Sequence, residues 1–256
     1  ALDAKIELNN RINTELEAMA KTLYDYWFVQ FDFPDENGRP YKSSGGRMVW
    51  NEQLKRAVPE GWEVVNLGQL GKITGGSTPL TSKQENFTDH GIPWITPKDL
   101  SLNKGNKFIR KGATDVTEAG FSEANLTMLP KGSVLLSSRA PIGYLAISGC
   151  DVTTNQGFKS FIPSENIGTE YLFYAIQNLL PVIENNASGS TFKEVSASVL
   201  RSIYDVKPEF HLIQLFREKI LSVFSRQENL ELENQHLSSL RDWLLPMLMN
   251  GQVRVS

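Results

Sequence analysis

The sequence predicts an α+β protein: an irregular globular domain with a mixed, strand-rich core, flanked by two long coiled-coil-type helices. Three observations carry this. Both ends of the chain repeat apolar residues at alternating steps of four and three, the period of a coiled-coil seam. The middle gathers glycine and β-branched residues into short runs between turn signals, which read as strands. Strand and helix do not alternate regularly there, which argues against a doubly wound sheet.

The organisation follows in order. Residues 1–33 form the first unit, a helix over 4–30 with its seam at Ile12, Leu16, Met19, Leu23 and Tyr26, ended by Pro34 and Gly38. Residues 34–61 are a linker of turn chemistry, but Tyr41, Met48, Val49, Trp50 and Leu54 make it too apolar for a free tether. It is expected to pack. Residues 62–210 are the globular domain. Its strand candidates are Trp62–Leu67, Leu70–Thr74, Pro93–Ile95, Ser133–Ser137, Leu145–Ser148 and Phe158–Ile162; its helical stretches are Glu170–Asn178, Pro181–Asn185 and Val195–Leu200. Residues 211–256 hold a second long helix, to 249, with a seam of Phe216, Ile220, Val223, Leu230, Asn234, Leu237 and Leu244, closed by Pro246 and Gly251. Gln227 and Arg241 fall on that seam. Polar seam residues weaken packing but fix register and partner. Shifted by 216 positions, Glu15-Leu16-Glu17 lies on Glu231-Leu232-Glu233 and Trp27 on Trp243. That is the mark of a duplicated element, or of chance likeness between amphipathic helices.

Composition excludes several classes. The 256 residues are 40% hydrophobic with 13 Phe, 7 Tyr and 5 Trp, so the chain is not disordered as a whole. Its apolar runs fall far short of the ~20 residues that span a bilayer. One cysteine, Cys150, builds no disulfide framework within a chain; a reducing, cytoplasmic setting fits. His90, His211 and His236 lack metal-ligand spacing. A phosphate-cradling loop requires Gly-Lys followed by Ser or Thr, whereas Gly71-Lys72 is followed by Ile73. There is no Pro-Pro for an amino-methyltransferase tetrapeptide, and no carboxylate cluster beside a lysine for a metal nuclease. The chain is expected to carry no catalysis and no metal. Its net charge of −3 counts against nucleic-acid binding by bulk charge alone, but not against a local basic surface.

The domain's loops carry the candidate chemistry. Lys98, Lys104, Lys107, Arg110 and Lys111 form a basic run opposed within it only by Asp99; it reads as phosphate contacts or as a solvated charged loop. Ser137-Ser138-Arg139 ends an apolar strand, with Tyr144 beyond it. Arginine reads guanine bidentately and serine serves phosphate or base; the other reading is a structural turn with Arg139 paired to an acid. Asn155 and Gln156, in Thr153-Thr-Asn-Gln-Gly, are natural adenine readers and equally ordinary turn formers. Ser190, Thr191 and Lys193 precede a helix and suit an anion site, or simply a loop with a cap at Ser196 or Ser198.

In this order the parts resemble the specificity subunits of type I restriction-modification systems. Glu15-Leu-Glu-Ala-Met-Ala-Lys-Thr-Leu-Tyr-Asp-Tyr-Trp-Phe looks like the end of the family's central helix, and Tyr41-Lys-Ser-Ser-Gly-Gly-Arg-Met-Val-Trp-Asn with Pro59-Glu-Gly-Trp-Glu like the lead-in to a recognition domain. Gly76-Ser-Thr-Pro, Ile92-Pro-Trp-Ile, Pro130-Lys-Gly-Ser-Val-Leu, Thr154-Asn-Gln-Gly and Gly189-Ser-Thr match recurring features of target recognition domains, which adds Ser77 and Thr78 to the DNA-contact candidates. Leu240-Arg-Asp-Trp-Leu-Leu-Pro-Met-Leu-Met-Asn-Gly-Gln-Val resembles the closing helix.

The resemblance implies a non-catalytic subunit whose recognition domain reads one half of a split double-stranded DNA site. Its helices would set spacing and dock methyltransferase (modification) subunits, with a restriction or translocase subunit joining. S-adenosylmethionine, ATP and Mg would belong to those partners, with no cofactor in this chain. Full subunits carry two recognition domains; this chain has one. A two-fold homodimer pairing helices between chains is therefore expected to rebuild a two-headed reader. The alternative is a coiled-coil interaction adaptor with a non-DNA ligand.

Overall fold

The structure, a computed structural model, describes residues 1–188 and 193–250. In chain order the elements are α1 (Leu2–Tyr24), β1 (Met48–Asn51), β2 (Arg56–Pro59), β3 (Glu63–Asn66), α2 (Leu67–Leu70), β4 (Gly71–Gly75), β5 (Phe87–Thr88), β6 (Ile92–Ile95), α3 (Pro97–Leu102), β7 (Phe108–Ile109), β8 (Thr114–Val116), α4 (Glu118–Glu123), β9 (Val134–Leu136), β10 (Leu145–Ser148), β11 (Thr153–Thr154), β12 (Lys159–Pro163), α5 (Gly168–Asn185), α6 (Ala197–Ser202), β13 (Tyr204–Lys207) and α7 (Phe210–Met249).

The two long helices pack antiparallel within one chain. Asp3 meets Arg241 at 2.9 Å, Asn9 donates to Asn234 at 2.9 Å, and Gln227 donates to Glu17 at 3.2 Å. As α1 rises, α7 descends. The expected seam thus exists but closes inside the chain rather than between chains as far as Arg241. Its residues on α1 are corrected by one position. The inward stripe is Asn9, Asn13, Ala20 and Tyr24, while Met19 is 63% exposed and Ile12, Leu16 and Leu23 are half-buried. The reason is that Asn9 and Asn13 face the partner helix, Asn9 donating from its amide to Asn234 and Asn13 accepting from Gln227 at its backbone carbonyl, and an apolar count overlooks both. On α7 the expected Phe216, Ile220, Leu230 and Asn234 are buried, Val223, Leu237 and Leu244 half-buried. Pro246 lies inside α7 rather than ending it. Beyond Arg241, Trp243, Leu245 and Met249 remain exposed.

The first helix ends in a π turn over Asp25–Val29. The widened turn brings Trp27 and Phe28 inward together, and both are buried. Phe28 packs edge-on to Tyr171 and Phe216 at 5.1 Å, so α1, α5 and α7 share one aromatic core. Within residues 34–61 the chain forms a β1–β2 hairpin. Tyr41 stacks on Phe33 at 4.6 Å, while Val49 and Trp50 point outward, 44% and 58% exposed.

Besides the two-stranded β3–β13 pair, the described residues of the domain form two larger sheets. The larger runs β4-β12-β9-β10-β7 and the smaller β11-β6-β8-β5. The six predicted strands are present, with boundaries shifted by at most one residue. The two helical stretches at Glu170–Asn178 and Pro181–Asn185 are one helix, α5, which continues through Pro181. Ser196 is the cap of α6, accepting from the Val199 N–H at 3.1 Å. β3 pairs with β13 in antiparallel register from Glu63↔Lys207 to Asn66↔Tyr204, which brings the ends of the domain together.

One lysine ties this domain to the helices. Lys107, expected to contact phosphate, is instead 6% exposed. Its ammonium meets Glu17 of α1 at 2.5 Å and donates to Gln227 of α7 at 2.9 Å and Tyr174 of α5 at 2.8 Å. The rings of Phe224, Tyr174 and Phe173 surround it at 4.0, 4.9 and 5.2 Å, a cation–π cage. Glu231 of α7 accepts the Lys107 and Phe108 backbone N–H groups at 2.7 and 2.9 Å. Burial pulls the Lys107 ammonium below its usual pKa, against the pull of Glu17. Burial also pushes the Glu231 carboxyl up to about 7, against those two N–H donors and Lys107.

Replacing Lys107 with Met leaves Glu17, Gln227 and Tyr174 without their shared partner. Breaking a fully buried pair costs ~3–5 kcal/mol; because Glu17 can turn toward water, a loss of roughly 2–4 kcal/mol is expected in urea unfolding. Glu231 is held protonated more easily in the fold than in the unfolded chain. Its stabilising contribution is complete below the unfolded carboxylate pKa and fades as pH rises through about 7. Stability of the native chain should therefore fall more steeply between pH 5 and 8 than that of Glu231→Gln; parallel curves would contradict this.

Candidate nucleic-acid interface

Four loops converge at one edge of the larger sheet. The first is 75–79, which follows the edge strand β4. Its Ser77 N–H donates to the Thr154 carbonyl at 3.0 Å, and the Ser77 carbonyl accepts from the Trp94 indole at 3.1 Å. A Cβ at Gly76 would collide with the carbonyl oxygens of Thr154 and Asn155, so only glycine lets this loop lie against the second one, 154–157. Thr78 donates to the Gln156 side-chain oxygen. The Asn155 side chain accepts from the Gly157 N–H at 2.9 Å, closing its own turn.

The third loop, 137–143, joins through the Ser138 N–H, which donates to the Gly157 carbonyl at 2.8 Å. The fourth, described at 186–188 and 193–195, joins through the Val195 N–H, which donates to the Ser138 carbonyl at 2.9 Å. Arg139 pairs with Glu194 at 3.1 Å, and Lys159 at the start of β12 lies 3.6 Å from the same carboxylate. Glu194 thus sits between two cations. The guanidinium is half-exposed and the lysine largely covered.

The candidates divide accordingly. Ser77, Thr78, Arg139, Asn155 and Gln156 belong to the loop cluster; Gln156 is exposed, and Ser77, Thr78 and Asn155 are half-buried. Lys193 is exposed on the fourth loop, while Ser190 and Thr191 lie outside the described residues. Ser138 is corrected. It is fully buried, and its hydroxyl has no partner among the described residues, because its backbone is used twice to join neighbouring loops. Lys98 is exposed at the start of α3, next to Pro97, which packs against Gly157. Tyr144 closes the third loop, its N–H donating to the Ser137 hydroxyl oxygen at 2.8 Å, and Lys104 lies over it. The ammonium lies 5.2 Å above the Tyr144 ring, and both line a groove of about 610 Å³ against α1.

The basic run loses most of its free charge. Besides Lys107, Arg110 pairs with Glu228 of α7, and Lys111 pairs with Asp115 at 3.4 Å. Only Lys98 and Lys104 of that run make no ion pair among the described residues. For Arg139 the acid-pairing reading is realised. Two members of the cluster escaped sequence reading: Lys159 and Glu194. Lys159 sits within the strand candidate Phe158–Ile162 and Glu194 next to Lys193, but only the fold puts them on either side of one contact. Among the described residues no cluster of three potential metal ligands occurs, and no helix is long and apolar enough to cross a membrane.

Comparison with known proteins agrees with this layout. The family model described as type I restriction modification DNA specificity domain matches residues 59–240. The specificity subunit of the type I restriction enzyme MjaIX of Methanocaldococcus jannaschii is 35% identical over 208 residues, covering 77% of this chain and 48% of that protein. The HindI specificity subunit of Haemophilus influenzae is 26% identical, covering 98% of this chain and 65% of that one. The chain thus spans from about half to two-thirds of these relatives' lengths. Among solved structures, the type I restriction-modification S subunit from M. genitalium superposes with a TM-score of 0.55 at 16% identity, over 95% of this chain and 55% of its own. The HsdS subunit from Thermoanaerobacter tengcongensis gives 0.52 at 16%, over 98% and 57%. At such identities the two structures bear on the fold, which they share with this chain across helix, domain and helix. The adaptor reading finds no support in any of these likenesses. With the family model covering most of its length, the chain belongs to the type I restriction-modification DNA specificity family.

Proposed function

We propose that the chain is a DNA specificity subunit, or one half of one, that reads one half of a bipartite duplex site and performs no chemistry itself. The observation that carries this is the convergence of four polar loops beside the ends of β4, β12 and β9, with Arg139 and Lys159 sharing Glu194 between them. Such a shared carboxylate discourages indiscriminate phosphate binding, because Glu194 must be displaced or rearranged before either cation can engage DNA. A guanine edge accepting two hydrogen bonds from Arg139 is one ligand able to compensate.

The helices supply the other half of the reading. The exposed Trp243, Leu245 and Met249 at the end of α7 suit docking of methyltransferase subunits or of a second copy of this chain, with a translocase subunit joining the assembly. S-adenosylmethionine, ATP and Mg belong to those partners on this reading, and the assembly works in the cytoplasm. Its acidic balance is tolerable because partner subunits hold much of the DNA backbone.

Binding selection from random duplex DNA tests the reading: a defined sequence is expected, and recovery of no sequence preference would refute it. With the preferred site known, Arg139→Ala should lose about 1–3 kcal/mol there and much less on random DNA. Equal losses would make Arg139 a phosphate contact. Glu194→Gln should release both cations, tighten binding to unrelated DNA and steepen the salt dependence by about one contact. An unchanged salt slope would mean that Glu194 does not hold these cations back from phosphate. A homodimer predicts a mass of two chains in solution, and a monomer mass at all concentrations would leave α7 to other partners.

A further inference from the structure

We propose that Lys107 and Glu231 are positioning residues: they set the angle at which the recognition domain stands on the helix pair, and through it the spacing between half-sites. This rests on the bipartite reading given above.

The geometry separates reading from holding. In the larger sheet β7 and β4 are the two edges. Phe108 opens β7 with Lys107 just before it, and the loop cluster follows β4 and β9 and borders β12. Strand spacings of ~4.8 Å put Arg139, beyond β9, roughly 10 Å and the 75–79 loop, beyond β4, roughly 19 Å from the β7 edge. A rocking of about 10° at that edge would move them by roughly 2 and 3 Å, the latter close to the ~3.4 Å rise of one DNA base step. Small changes of angle at the brace therefore translate into whole base pairs at the reading edge.

The brace is built to resist that rocking. Glu231 accepts from two successive backbone N–H groups, one on each carboxylate oxygen. Two such bonds fix a direction as well as a distance. The Lys107 ammonium contacts α1, α5 and α7 at once through Glu17, Tyr174 and Gln227. An apolar contact between the same surfaces could slide with little penalty. A buried ion pair is a poor source of net stability compared with well-packed apolar groups, which leaves geometry as what it provides here.

The test is binding selection from a random duplex pool by the complete assembly with its methyltransferase subunits, reading half-site sequence and spacer length together. The chain with Lys107 intact is expected to select one spacer length. Lys107→Met, whose side chain suits the ring cage, should keep the same half-site sequence and spread the spacer over two or more neighbouring lengths. Glu231→Gln, which retains the ammonium and one acceptor, serves if Lys107→Met does not fold, and should spread it less. Weaker binding with an unchanged single spacer in the folded variants would reduce the brace to a structural contact and overturn the proposal. Selection of no bipartite site by the unsubstituted chain would instead overturn the bipartite reading, and the brace with it.

Discussion

The placement of the recognition domain depends on a lysine kept out of water. An ammonium in an aromatic cage is tenable only while a carboxylate, an amide oxygen and a phenol face it together. For Lys107 those groups come from three different helices. Its burial therefore requires α1, α5 and α7 to be assembled at the same place and in the same register. The helix pair, the aromatic core around Phe28 and Phe216, and the edge strand β7 all meet at this point. Remove the charge and each of these elements could still form, but the reason for one relative orientation would be weakened.

The same economy explains how an acidic chain presents a basic face. Its central run of positive charge is mostly spent internally: Lys107 on Glu17, Arg110 on Glu228 and Lys111 on Asp115. Two of those three acids lie on the long helices. What remains outward of that run and at the loops, Lys98, Lys104 and the guarded Arg139–Glu194–Lys159 group, is modest in number and specific in geometry. Sequence-reading through a few directed groups needs this, whereas tight non-specific binding would need many free cations.

The strands and the two long helices were legible because period is a local property: alternation and heptads are visible within a dozen residues. The α1 seam was misplaced by one residue because Asn9 and Asn13 are inward yet polar, and their partners Asn234 and Gln227 are more than 200 positions away. Lys107 was misread for the same reason. In sequence it stands among other lysines; only the fold surrounds it with Phe173, Tyr174 and Phe224. The candidate face was partly legible: Gly76-Ser-Thr and Thr154-Asn-Gln were singled out separately, and a steric fact about Gly76 joins them. Ser138 was misjudged because its backbone, rather than its hydroxyl, serves the loops.

The pairing of β3 with β13 carries a wider consequence. Glu63 faces Lys207 across two strands, so everything between them is, to the helices, a single sealed excursion with one narrow neck. The closure entropy of such an excursion grows only slowly with its length, and a domain with adjacent ends is a natural unit for transplantation. A different set of reading loops could occupy the same neck while the coiled frame stayed as it is, provided the newcomer brought its own lysine to the brace.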